Sequence, residues 1–173
     1  MGKKYIYLDT ATGRQEADDG PVSAGGRYAV KASNQSTSST TLADITDLSI
    51  AVAAGQAYHV RGVLNYTASA SGEGHTISLV TPSSPTLVNI AGQSFSGGSG
   101  ANQVSFPIVA NGGTLVQTVS NGATRRSITL DGIFINGSNS GTLKLQFATE
   151  TASTGTTTVE AGSFLMLTPI TAA

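Results

Sequence analysis

Apolar positions recur with a period of two over most of the chain. Ile128, Leu130 and Phe134 fall on one side of a stretch that has Gly132 between them. Leu143, Leu145 and Phe147 share one side of the next stretch, while Lys144, Gln146 and Glu150 face the other way. Such alternation predicts strands with one buried and one wet face. The longest example has Tyr58, Val60, Gly62, Leu64, Tyr66 and Ala68 on one side. His59, Arg61, Asn65 and Thr67 stand on the other, with Val63 among them. The closing segment Phe164-Leu165-Met166-Leu167 is apolar on both faces. It therefore needs cover on two sides, from a second sheet and from a neighbour or another subunit.

Further strands are expected where Leu48, Ile50 and Val52 alternate, from His75 to Thr81, from Thr86 to Ile90, from Gln103 to Val109 and from Leu115 to Val119. Pro107 makes the fourth of these an edge strand or a bulged one, because proline cannot donate to a ladder. Ala91 to Ala101, with Gly92, Gly97, Gly98 and Gly100, reads as a glycine-rich loop. Asn111-Gly112, Asn121-Gly122 and Asn136-Gly137 stand at strand ends, where hairpin turns need positive φ. Eight or nine strands are expected after Leu42 and no helix. The fold class that follows is all-β: an antiparallel, jelly-roll-like β-sandwich over residues 42–173.

Residues 1–41 have a different character. Lys4 to Leu8 and Arg27 to Lys31 are candidates for short strands. Between them lies a stretch rich in Gly, Ala, Asp and Ser with too few apolar residues to build a core. Ser33 to Thr41 has the composition of a polar linker. The expectation is an extended N-terminal arm that becomes ordered against a partner. The alternative is a pair of strands added to the edge of the main domain.

Composition narrows the function classes. Charged residues make up 11% of the chain and the net charge is −1. Solubility rests on hydroxyls and amides, a surface that packs against other protein with little charge to desolvate. That balance argues against a phosphate-neutralising patch for nucleic acid. Cysteine is absent, which excludes disulfides and thiolate metal sites. No signal peptide is expected at Met1, and no apolar run approaches the roughly 20 residues of a membrane span.

Candidate chemistry is sparse. His59 lies on the polar side of its strand, and His75 follows the Gly72-Glu73-Gly74 turn, which brings Glu73 within reach of it. No serine stands out as the nucleophile of a triad. Asp18-Asp19 and Asp44/Asp47 do not match a calcium-loop spacing. Glu150 and Glu160 flank the hairpin around Gly155, which alone does not define a carboxylate pair. No catalytic, cofactor or metal site is expected.

Two regions resemble a known group. Ser140 to Glu150 (SGTLKLQFATE) followed by Val159-Glu160-Ala161-Gly162-Ser163-Phe164-Leu165 resembles the closing strands of jelly-roll domains in structural proteins of tailed bacteriophages. Ala54-Gly55-Gln56-Ala57-Tyr58-His59-Val60 is similar to an earlier strand start of that group. Tyr5-Ile6-Tyr7-Leu8-Asp9 with Thr12-Gly13-Arg14 resembles the arm of phage capsid-decoration, or cement, proteins. Gly25-Gly26-Arg27-Tyr28 departs from the Asp-Ala-Gly-Lys that such arms often carry.

The resemblance implies a non-enzymatic virion protein, made in the host cytoplasm, that binds the major capsid protein between capsomers and stabilises the shell. It also implies a homo-oligomer, expected as a trimer. Arm residues Tyr5, Ile6, Tyr7, Leu8, Tyr28 and Val30 are the expected shell contacts. Phe164, Leu165, Met166 and Leu167 are the expected oligomer seam. The alternatives are a tail-fibre or tail-tip module binding a host-surface glycan, and a small hydrolase on a sandwich scaffold.

Overall fold

The longest alternating stretch becomes the longest strand, β6 (Ala57–Ala68), whose side chains alternate between buried and more exposed along its whole length. The computed structural model describes residues 7–9, 14–16, 26–70, 73–96, 102–117, 124–151 and 155–170. These residues form strands and connections, with no helix among them. Strands β1 (Tyr7–Asp9) and β2 (Arg14–Glu16) make a two-stranded hairpin of their own. The rest are β3 (Arg27–Val30), β4 (Gln35–Thr37), β5 (Ala43–Val52), β7 (His75–Val80), β8 (Leu87–Ser96), β9 (Asn102–Ile108), β10 (Thr114–Gln117), β11 (Arg126–Ile135), β12 (Gly141–Thr149), β13 (Thr157–Val159) and β14 (Phe164–Ile170).

Two antiparallel sheets pack as a sandwich. The smaller has the order β10-β7-β12-β5. The larger runs β3-β14-β6-β11-β8-β9, with β13 and β4 joined beside the far end of β6. The alternating residues meet between the sheets. Leu64 and Tyr66 of β6, Ile128 and Phe134 of β11, and Leu145 and Phe147 of β12 are all buried in one cluster. The Tyr58 ring stacks on Phe134 with centroids 6.1 Å apart, and its hydroxyl accepts the Ala53 N–H at 2.9 Å. That bond lets a large polar-tipped ring fill the core without an unpaired hydroxyl.

Glycine marks where strands approach most closely. A Cβ on Gly132 would run into the Asn89 carbonyl oxygen and stand 2.6 Å from the Ile90 Cα. Both atoms are backbone, so the β11–β8 ladder itself would have to move. Gly132→Ala is expected to destabilise the domain by about 1–3 kcal/mol. A shift of the urea midpoint measures it, and an unshifted midpoint would mean the two strands part without cost.

Two expectations change. The segment Ala91 to Ala101 is not a loop throughout, because β8 continues to Ser96 and β9 begins at Asn102. Gly92 lies inside the ladder, opposite both Leu130 and Phe106. Strand pairing on both sides overrides the weak strand preference of glycine. Pro107 stands on β9, the edge strand, as its missing N–H requires.

The second change concerns residues 27–41, expected within the arm and linker. The structure builds them into the sandwich, so of the two strands in the edge-strand alternative the second joins the domain edge, whereas β1 pairs with β2. β3 pairs with β14 and β4 with β13. Their polar side chains cap the free edge of β5. Arg27 donates to the Ala51 carbonyl at 2.8 Å, and Lys31 Nζ donates to the Thr46 carbonyl at 3.2 Å and hydroxyl at 2.8 Å. Gln35 donates to the Asp44 carbonyl at 2.9 Å and accepts the Thr46 N–H at 2.8 Å. An unpaired strand edge is a liability that these groups remove. Composition reads them as solvated, whereas their hydrogen bonds make them structural.

Candidate partner-binding face

The outward side of the larger sheet collects side chains that the sequence distributes over more than 140 positions. Register places Val30, Phe164, Val63, Thr129 and Gln93 in one row across β3, β14, β6, β11 and β8. The next row holds Tyr28, Met166, Arg61, Asp131, Ala91 and Pro107. A third holds Thr168, His59, Ile133 and Asn89, and a fourth Ile170, Ala57, Ile135 and Leu87. Tyr28 is 53% and Val30 49% exposed, and Leu87 is exposed as well. Phe164, Met166, Val63, Ile133 and Ile135 are half-buried.

The smaller sheet is different. Its outward positions include Thr142, Lys144 and Gln146 on β12 and Asp44, Thr46 and Ser49 on β5. Lys144 and Gln146 both bind the Asp44 carboxylate at 2.7 Å and hold it below its ordinary range. A sheet face meant for water is polar, as this one is. Over these four rows the larger sheet's outward face is mostly apolar, while beyond them it carries Asn65, Ser127, Thr67 and Thr158.

Its charges lie at the middle and satisfy one another. His59 Nε2 stands 3.2 Å and Arg61 Nε 3.4 Å from the same Asp131 oxygen. Beside them is a shallow depression of 240 Å³, walled by Arg61, Val63, Thr129, Asp131 and Phe164 over the backbone of Gly62 and Leu130.

The expected site residues are therefore partly united and partly separated. Tyr28, Val30, Phe164 and Met166 join on this face. Leu165 and Leu167 turn inward and are buried in the core cluster. The closing strand thus has its second sheet on one side and an apolar, half-covered face on the other. Tyr7 and Leu8 lie on β1, paired with Glu16 and Gln15. Tyr5 and Ile6 lie outside the described residues, as do Asp18 and Asp19. Sequence reasoning missed Ile133, Ile135 and Leu87 as outward apolar positions. Val63, the odd apolar residue on the polar side of β6, and the doubly apolar segment Phe164–Leu167 were the local signs of this face.

The second histidine sits elsewhere. His75 is 1% exposed and its ring lies against Tyr66, with centroids 3.8 Å apart. Burial lowers its pKa from 6.5 to about 3, so the imidazole is neutral at pH 7. The Tyr66 hydroxyl shares a hydrogen bond of 3.3 Å with Ser94. Burial raises the tyrosine pKa, against the smaller opposing effects of Ser94 and Arg126. Glu73 is buried nearby in sequence, where its carboxylate fills the space a side chain on Gly155 would need. A sealed, neutral imidazole packed on a ring is a core element. Among the described residues no group of three or more His, Asp and Glu side chains stands ready for a metal ion.

Neither the protein-family models nor the curated proteins searched match this chain.

Proposed function

We propose that this chain is a non-enzymatic structural protein of a phage virion, of the capsid-decoration kind, with a jelly-roll-like body. It binds the major capsid protein on the outer shell surface, between capsomers, and associates with copies of itself. The observation that carries this reading is the contrast between the two outward sheet faces. One is polar and wet, and the other is apolar with its few charges paired among themselves. Such a domain is made to lie against other protein on one side and water on the other. The N-terminal segment supports the reading through its likeness to decoration-protein arms. Extended segments can add strands to a neighbour's sheet edge and draw affinity from main-chain hydrogen bonds.

Co-sedimentation with capsids stripped of this protein tests the reading. Removing residues 1–25 is expected to abolish shell binding while leaving the body folded. Ile6→Asp in the full chain is expected to weaken binding without moving the thermal unfolding of the free protein. If the truncated body decorates shells as well as the whole chain, the arm is not the anchor.

The tail-module reading has one observation in its favour. The depression beside Phe164 offers an aromatic ring with Arg61 and Asp131 at its border, a combination able to hold a sugar. Saturable binding of a host-surface glycan, lost in Phe164→Ala, would move that reading ahead.

A further inference from the structure

The geometry points to a second copy of this chain as the occupant of the larger sheet's outward face, packed across a twofold axis. This inference does not rest on the shell-binding reading. Among the six strands in line, β6 and β11 are the central pair. Arg61 and Asp131 are direct cross-strand partners on them, in one row. Consider a twofold axis that runs along the strands, between the two copies, above the β6–β11 boundary. It sets each Arg61 over the partner copy's Asp131, so the charges at the centre are self-complementary.

In the row through Arg61 the flanks match by size under the same operation. The row through Arg61 carries Tyr28 and Met166 on one side of the axis and Ala91 and Pro107 on the other. The twofold lays Met166 over Ala91 and Tyr28 over Pro107, large against small. In the fourth row it lays Ile170 over Leu87 and Ala57 over Ile135. Stacked sheets need this interdigitation at a spacing of about 10 Å. Two rows across six strands and two across four, with strands about 4.8 Å and rows about 6.8 Å apart, cover on the order of 650 Å². A stable pair of proteins buries about 800 Å² on each partner. The face is thus of the right extent for a dimer of this chain.

Absence of cysteine makes the register directly testable. In the full chain, Ala91→Cys with Met166→Cys places the two thiols opposite each other only between copies. Within one chain they lie three strand spacings apart, about 14 Å, whereas facing positions of two stacked sheets lie about 10 Å apart. A short bis-maleimide matched to the facing distance is expected to give a covalent dimer carrying two cross-links, and each single cysteine variant is expected to give none. Native mass and sedimentation of the unmodified protein are expected to show a dimer at micromolar concentration. Met166→Glu is expected to weaken self-association about 100-fold while the circular dichroism stays unchanged. A monomer, a trimer, or covalent products that form equally well from the single variants would each overturn the twofold arrangement. Shell binding by the arm would stand or fall separately in the co-sedimentation assay.

Discussion

Lowering the pH from 7 to 4 is expected to remove about 3 kcal/mol of stability through His75 alone. The imidazole keeps a pKa of about 3 in the folded protein because burial penalises its charge, and it returns to about 6.5 on unfolding. Between those values the unfolded chain binds a proton that the folded chain refuses. Stability therefore falls as pH drops below 6.5 and levels off below 3. Two other groups act in the same experiment. Asp44, held low by Lys144 and Gln146, adds a loss as pH falls through its depressed pKa. Glu150, whose pKa burial raises, works in the opposite direction, because its folded form takes up a proton more readily.

His75→Phe separates the histidine from these. It keeps a ring against Tyr66, and the Nε2 it removes is buried without a hydrogen-bond partner, so no bond is lost there. Urea unfolding at pH 7 and pH 4 should show the wild type losing much more than the variant. Equal losses in the two proteins would show that His75 can take a proton without unfolding.

Where the chain is cut should decide whether the body survives. Deletion of residues 1–25 is expected to leave the urea midpoint of the body unchanged, since β3 and everything after it remain. Deletion of residues 1–31 is expected to cost on the order of 5 kcal/mol, which is all or most of a typical domain's stability. That cut removes β3 from the edge of β14 and takes away both Arg27 and Lys31. The Ala51 and Thr46 carbonyls then lose their donors, and the inward pair Leu165 and Leu167 loses the cover of Ala29. Burial lowers the Lys31 pKa while nearby Asp47 opposes that shift, and its ammonium makes three hydrogen bonds. A buried ammonium so placed holds the two sheets together along one side. Lys31→Met isolates this contribution without shortening the chain. If the 1–31 deletion unfolds at the same urea concentration as the 1–25 deletion, the cap on β5 carries no weight.

The strands were legible because their signal is local. Leu143, Leu145 and Phe147 announce a buried side by alternation alone, and all three are fully buried. The edge placement of Pro107 and the lack of helix among the described residues follow from single-residue chemistry in the same way. Less legible was the stretch at Ala91 to Ser96, the first part of the Ala91–Ala101 segment whose glycines suggested a loop. Its strand exists because β11 and β9 pair with it from both sides, and neither partner is visible from within the stretch.

The sequence by itself determined which residues alternate, where the chain turns, and that this is an all-β protein poor in charge and free of cysteine. Period-two patterning acts over a few residues, so each segment carries its own record of it. Tertiary structure alone decided that Lys31 caps a strand 15 residues away, that His75 is sealed against Tyr66, and that His59, Arg61 and Asp131 meet. It also decided that Tyr28 and Val30 lie beside Met166 and Phe164 on one face. These are outcomes of register and edge contact between strands up to about 140 positions apart. A shift of one residue in that pairing would turn each side chain to the opposite face.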